Sequence, residues 1–156
     1  GTARLTGGAG ADTFKFAETF NTDKATTFAA ILKQSAGSSG IVRITDFVAG
    51  TDKLSFSSWN AGSAAQDIGT SITLATAQTL NAAADLGAVY AGVNAIAAST
   101  AGGALSGVVL TVSTGAAAGT YLYINNATAG VSASDDMLIN LTGLTGTLSA
   151  GDFVFA

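Results

Sequence analysis

Cysteine, histidine and proline are all absent from this chain of 156 residues. The lack of cysteine excludes disulfides and the cysteine-based zinc or redox sites. Without histidine or cysteine, the usual serine–histidine and cysteine–histidine nucleophile pairs are also excluded. A carboxylate pair is the remaining option for acid–base catalysis. Since the candidate carboxylates lie in glycine-rich turns, we expect that the chain is not an enzyme.

Charge is also scarce, because only 10% of residues are charged and the formal net charge is −4. No basic patch is present to neutralise phosphates, so we expect no nucleic-acid partner. No apolar run reaches the roughly 18 residues of a membrane span, and no N-terminal signal peptide is evident. For an exported protein, this leaves a C-terminal export route or a longer N-terminal part. Apolar residues make up 48% of the chain, which favours a single folded domain over disorder.

Glycine is abundant, and residues 7–15 form one complete copy of the calcium-binding nonapeptide G-G-x-G-x-D-x-U-x, where U is a large apolar residue. Gly8 and Gly10 permit backbone conformations that turn carbonyl oxygens inward. Asp12 adds a carboxylate, and a set of oxygen ligands suits calcium. The alternative is a glycine turn that enters a strand, with Asp12 as an ordinary turn residue.

A degenerate copy of the motif follows at residues 47–55. Gly50 and Asp52 occupy the slots of Gly10 and Asp12 in the first copy. Residues 1–6 fit the second half of a preceding copy, which has lost its aspartate. A chain that opens in mid-repeat is expected to be the tail of a longer protein.

The segments LTGGAGADTFKF and ITDFVAGTDKLSFS resemble the last turns of a repeats-in-toxin (RTX) calcium β-roll. Such rolls form the C-terminal domains of serralysin-type proteases and other type I secreted proteins. The resemblance covers residues 1–58 with good motifs and residues 119–156 with a softer pattern. It implies bound Ca²⁺, an ABC exporter of a type I secretion system as partner, and a secreted or cell-surface location.

The resemblance also assigns site residues. In this family, the aspartates that match Asp46 and Asp52 help to close the last calcium sites, although a turn cap is an equal alternative for Asp46. In a third, degenerate copy Asp136 takes the aspartate slot, while Ser134 replaces the glycine; a solvated acidic turn is the alternative. The expected metal-site residues are Gly8, Gly10, Asp12, Asp46, Gly50, Asp52 and Asp136.

The last residues, Asp152, Phe153, Val154 and Phe155, place an acidic residue before an apolar run. This arrangement resembles the terminal secretion signal of RTX proteins. A plain edge strand that finishes a sheet is the alternative.

The predicted fold is mainly β, in one domain. Short parallel β-roll turns over residues 1–58 lead into a β-sandwich-like or antiparallel cap over residues 59–156. Helices are predicted at 28–34 and 80–98, and a hairpin at 107–114 and 119–125. Further strands are predicted at 41–47, 52–56, 69–77, 137–141 and 153–155, and Trp59 is expected to plug the end of the roll.

The leading functional hypothesis is a calcium-dependent folding and type I secretion domain at the C-terminus of a larger exported bacterial protein. The alternative is a calcium-dependent, self-assembling structural module of a surface-layer or adhesin protein, whose partners are further copies or a cell surface. A third class, a sugar- or ice-binding module, would need a regular threonine ladder that the sequence does not display.

Overall fold

The computed structural model describes residues 4–16, 41–56, 70–100, 103–125, 129–131 and 136–155. The predicted helix at 28–34 and Trp59 lie outside these residues. The described part is mainly β, as predicted. Its strands are β1 (Arg4–Leu5), β2 (Thr13–Phe16), β3 (Arg43–Ile44), β4 (Lys53–Phe56), β5 (Ser71–Leu74), β6 (Gln78–Ala82), β7 (Ala104–Thr114), β8 (Gly119–Asn125), β9 (Met137–Asn140) and β10 (Phe153–Phe155); its α-helix is α1 (Leu86–Gly92).

The strands form two sheets. The larger has the order β1-β3-β9-β8-β7-β5, and β6 also pairs with β7. The smaller has the order β10-β4-β2. The chain crosses from the larger sheet to the smaller one three times, from β1 to β2, from β3 to β4 and from β9 to β10.

These three crossings make three stacked coils of a short parallel β-roll. Strands β1, β3 and β9 pair in parallel in the larger sheet, and β2, β4 and β10 pair in parallel in the smaller one. Phe14, Leu54 and Phe153 occupy the same register position. We call the connecting segments turn 1 (residues 6–12), turn 2 (residues 45–52) and turn 3 (residues 141–152). Parallel β-roll turns are thus present, as predicted, but they are not confined to residues 1–58: β9, turn 3 and β10, which were predicted as part of the cap, supply the third coil.

The cap begins where the larger sheet changes from parallel to antiparallel pairing. Strand β9 is parallel to β3 on one edge and antiparallel to β8 on the other. Strands β7 and β8 form the predicted hairpin. Because β9 belongs to both parts, the roll and the cap share one sheet.

The central strands of the larger sheet are covered on both faces. Alternate residues of β8 point in opposite directions, so that Leu122 and Ile124 join the core between the two sheets. Tyr121 and Tyr123 join the core on the other face, which α1 covers. In the smaller sheet, Phe56 stacks on phenylalanines from both neighbouring coils, with ring centroids 5.2–6.2 Å apart.

The predicted helix at 80–98 is wrong in its extent. Only Leu86–Gly92 is helical, and Leu80 lies in β6, where it pairs with β7. The helix begins where the Asp85 carboxylate accepts a hydrogen bond from the Ala88 amide at 2.8 Å. Gly92 lies against the Leu80 side chain, which would be 2.5 Å from a Cβ at that position. Sheet pairing and this close contact therefore override the helical spacing of the apolar residues. The strand predicted at 41–47 likewise shortens to Arg43–Ile44.

We predict that Gly143→Ala destabilises the roll more than Gly130→Ala. Both glycines have positive φ, +112° and +105°, so both changes carry the same backbone cost. A Cβ at Gly143 would lie 2.2 Å from the carbonyl oxygen of Thr45 in turn 2, whereas nothing lies within 4 Å of one at Gly130. Overpacking should add about 1–3 kcal/mol at Gly143. Urea unfolding of both variants measures the difference, and equal losses would contradict the stacking of turn 3 on turn 2.

Candidate functional site

The candidate site is the space between turns 1 and 2, which we call the first gap. Backbone bonds close both its ends: the Thr45 amide donates to the Leu5 carbonyl at 3.1 Å, and the Lys53 amide donates to the Asp12 carbonyl at 2.8 Å. The nonapeptide and its degenerate copy are thus stacked directly on each other. Three glycines of the two turns have positive φ, namely Gly8 (+93°), Gly10 (+119°) and Gly50 (+83°). Their backbone freedom is what the sequence motif requires.

Asp46 joins turn 2 to turn 1 through its carboxylate. Its two oxygens accept hydrogen bonds from the amides of Gly7 at 3.0 Å and Gly8 at 2.8 Å. The bonds from Gly8 and Gly7 hold the pKa of Asp46 below its usual value, because they favour the ionised form. Asp46 therefore makes the hydrogen bonds expected of a turn cap, which was the alternative to metal ligation. The amides that it binds belong to the neighbouring coil.

Asp52 makes a similar bridge from a more buried position. Only 2% of its surface is exposed. One carboxylate oxygen accepts from the Asp12 amide at 3.0 Å, and the other accepts from the Val48 amide of its own turn at 2.8 Å. Asp52 thus ties turn 1 to turn 2 and closes turn 2 at the same time.

Asp12 differs from both, because its Oδ2 atom is buried and has no hydrogen-bond partner among the described residues. A buried acceptor without a partner costs free energy, and the cost is larger for a charged group. Its carboxylate lies against Gly7, where an added Cβ would be 2.6 Å from Oδ2. No described lysine or arginine nitrogen lies within 4.0 Å of Asp12, Asp46 or Asp52. A cation beside turn 1 would supply the partner that Oδ2 of Asp12 lacks among the described residues.

The three carboxylates do not surround a single point. Among the residues that the structure describes, no group of three or more acidic, histidine or cysteine side chains is placed to hold a metal ion. Asp46 and Asp52 are directed at backbone amides instead. Metal ligation by either carboxylate would replace one or more of these amide bonds.

Asp152 was predicted only as part of the secretion signal, and the structure also gives it a role in the third turn. It is 1% exposed, and its carboxylate accepts from the Gly50 amide at 2.7 Å and from the Ser149 amide at 2.8 Å. It therefore does for turn 3 what Asp52 does for turn 2. Asp152 directly precedes Phe153, whereas Asp52 stands two residues before the aligned Leu54. Turn 3 therefore has one residue fewer between its aspartate and the apolar position than the nonapeptide motif requires. The remaining sequence features of a glycine turn were Gly151 directly before Asp152, and Gly143 and Gly146 further upstream.

The predicted placement of Asp136 in a third turn is wrong. Asp136 lies just before β9, which leads into the actual third turn at residues 141–152. It is fully buried, and its carboxylate accepts a hydrogen bond from the Tyr123 hydroxyl. Burial first, and the charge of Asp136 second, raise the pKa of Tyr90 on α1. Asp136 thus belongs to the core between the sheet and α1; Ser134 and Asp135, also part of the predicted copy, lie outside the described residues.

Three of the four proposed signal residues form the end strand of the smaller sheet, and Asp152 is the last residue of the short 3-10 helix before it. Phe153, Val154 and Phe155 pair in parallel with β4. Asp152 and Phe153 are buried, whereas Val154 is 40% exposed. The edge-strand geometry of the alternative interpretation is therefore present.

Among the described residues, no helix has both the length and the apolar character needed to cross a membrane. Comparison of the chain with protein-family models, curated proteins and solved structures finds no match.

We predict that Asp46 contributes stability that disappears in acid. Its pKa in the folded chain lies below the usual value near 3.8. The contribution is therefore present above pH 4 and is lost as the pH falls through the lower, folded-state pKa. Asp46→Asn should flatten the dependence of the melting temperature on pH below 4. Asp85→Asn, which removes a carboxylate from the cap of α1, is the control, and a carboxyl NMR titration of Asp46 near or above 3.8 would contradict the prediction.

Proposed function

We propose that this chain is a calcium-dependent folding and type I secretion domain at the C-terminus of a larger exported bacterial protein. The proposal rests on the stacking of the nonapeptide on its degenerate copy and on Oδ2 of Asp12, which is buried without a hydrogen-bond partner among the described residues. A hard cation with oxygen ligands suits such a position. The resemblance of both segments to RTX turns supports calcium as that cation.

The residues that would hold Ca²⁺ are Asp12, together with carbonyls of the glycine turns and the carboxylates of Asp46 and Asp52. Asp12, Asp46 and Asp52 belong to the two stacked turns, and no described lysine or arginine nitrogen lies within 4.0 Å of them. A bound cation would therefore favour the stacking of turns 1 and 2. Binding free energy then contributes to folding. At a calcium concentration ten times the Kd, the gain is about 1.4 kcal/mol.

The position of the proposed export signal supports coupling between folding and export. Asp152 and Phe153 are buried in the third coil. A transporter that reads these residues must therefore meet the chain before the roll forms. Extracellular calcium modules commonly bind at about 0.1–1 mM, so the low calcium of a cytoplasm would leave turns 1 and 2 without their cation and the roll less stable, and the outside medium would promote folding.

We predict that Asp12→Ala weakens calcium binding. The Kd should rise by about tenfold or more, because calcium affinity follows the number of ligand charges. Isothermal titration calorimetry, with circular dichroism as a folding readout, measures both effects. Asp85→Ala on α1 is the matched loss of an aspartate, and magnesium is the ion control. An unchanged Kd in Asp12→Ala would show that Asp12 is not a ligand. Equal binding of calcium and magnesium would contradict the proposal that the site is specific for calcium.

We predict that Val154→Asp reduces export of a fused cargo severalfold without changing folding. Val154 is 40% exposed, so the substitution disturbs the apolar run and leaves the core intact. Val131→Asp is the control, because Val131 is exposed to a similar extent, 37%, outside the run. The readouts are cargo in the medium of a host with a type I exporter and the melting temperature of the purified chain. Normal export of the Val154→Asp variant would contradict the prediction and would indicate that β10 is an edge strand without a role in export.

The second candidate function, a self-assembling structural module, is favoured by the outer edges of β1 and β2, the strands on either side of turn 1. Strands β1 and β2 are the end strands of their sheets in the part of the chain that the structure describes. Open edges of this kind can pair with another chain. Light scattering after size exclusion, with and without calcium, tests this candidate; calcium-dependent multimers would favour it over the secretion domain.

A further inference from the structure

We propose that Lys53 is the built-in cation of the second gap, the space between turns 2 and 3, and that turn 3 consequently stacks without a metal ion. Its ammonium group donates to the Gly151 carbonyl at 2.7 Å and lies 3.9 Å from the Asp152 carboxylate. Both partners belong to turn 3, whereas Lys53 directly follows turn 2. The ammonium group therefore connects the two turns in the region where the aspartate of turn 3 is buried.

The two gaps differ in how their carboxylates are compensated. In the first gap Asp46 and Asp52 accept hydrogen bonds from amides of turn 1, and no described lysine or arginine nitrogen lies within 4.0 Å of either carboxylate. The second gap contains Asp152, which receives amide bonds from Gly50 and Ser149 and has the Lys53 ammonium nearby. Among the described residues, the buried carboxylate oxygen without a hydrogen-bond partner is Oδ2 of Asp12 in turn 1, and no such oxygen belongs to turn 3.

Backbone bonds in the second gap show what Lys53 would hold in place. The Ala49 amide donates to the Thr145 carbonyl, and the Thr145 amide donates to the Phe47 carbonyl, both at 2.9 Å. The Gly50 amide donates to Asp152. Protection of the Ala49 and Gly50 amides therefore reports directly on whether turn 3 is stacked.

The size of the effect follows from the burial of the two partners. A fully exposed ion pair contributes little, and the Lys53 side chain is 35% exposed. Asp152 is only 1% exposed, however, and removal of a cation beside a buried carboxylate is costly. The short bond to Gly151 is charge-assisted, which strengthens it further. We expect an intermediate effect, about tenfold in the opening equilibrium of turn 3.

The test is amide hydrogen exchange by NMR on the full chain in chelator. Lys53→Met should lower protection at Ala49 and Gly50 about tenfold, and Lys53→Arg should restore most of it. Lys15→Met on neighbouring β2 is the matched control, since Lys15 is exposed and should change nothing. Equal protection in Lys53→Met and wild type overturns the proposal. So does a wild-type chain without protection at Gly50 in chelator, because Lys53 would then not hold turn 3 alone.

The same exchange experiment with added calcium distinguishes this inference from the proposed function. The contrast between the two gaps rests on that proposed function, because it assumes that calcium binds at the first gap. Added calcium should raise protection at Gly8 and Asp12 by a larger factor than at Gly50. If calcium changes neither gap, the proposed function fails while the role of Lys53 in chelator stands. If calcium protects Gly50 as strongly as Asp12, the second gap is also a metal site, and the Lys53 proposal is overturned.

Discussion

The roll depends on carboxylates that accept hydrogen bonds from the amides of an adjacent turn. Tight glycine turns leave N–H groups that no strand partner reaches, and buried donors must be paired. Asp46, Asp52 and Asp152 each meet this need by reaching into the preceding coil. The same bonds fix the spacing between coils. Loss of one carboxylate would therefore disturb two turns at once. This is why a small number of charged residues is sufficient to fix how the coils stack.

The stacked turns alone would form a small core, and the cap enlarges it. Strand β9 carries Ile139 into the core between the sheets and Leu138 into the core beneath α1. The roll is thus anchored on a sheet that is buried on both faces. Three coils are the minimum that repeat architectures usually need, and here the cap also covers one end of the stack through β8.

The sequence was sufficient to predict the elements whose partners are near in sequence or whose motif is complete. The nonapeptide predicted turn 1, and the hairpin residues predicted β7 and β8. The role of Asp152 in turn 3 was not predicted, because turn 3 is longer than turns 1 and 2 and has no residue between its aspartate and the following apolar position. Asp136 was misplaced because an acidic pair beside a strand resembles a turn, and only strand pairing showed its burial. The helix was overextended because Leu80 satisfies both a helical stripe and a strand, and the pairing of β6 with β7 decides between them.

The third coil has a consequence for the rate of folding. Gly50 and Asp152, which bond across the second gap, are 102 residues apart in sequence. Closing so long a loop costs entropy before any contact compensates it, and long-range parallel pairing is slow for this reason. The hairpin of β7 and β8 is local and can form first, after which β9 adds to it and offers an edge to β3. The C-terminal residues should therefore be among the last to become buried, so that the unfolded chain persists longer than one of equal size with local pairing.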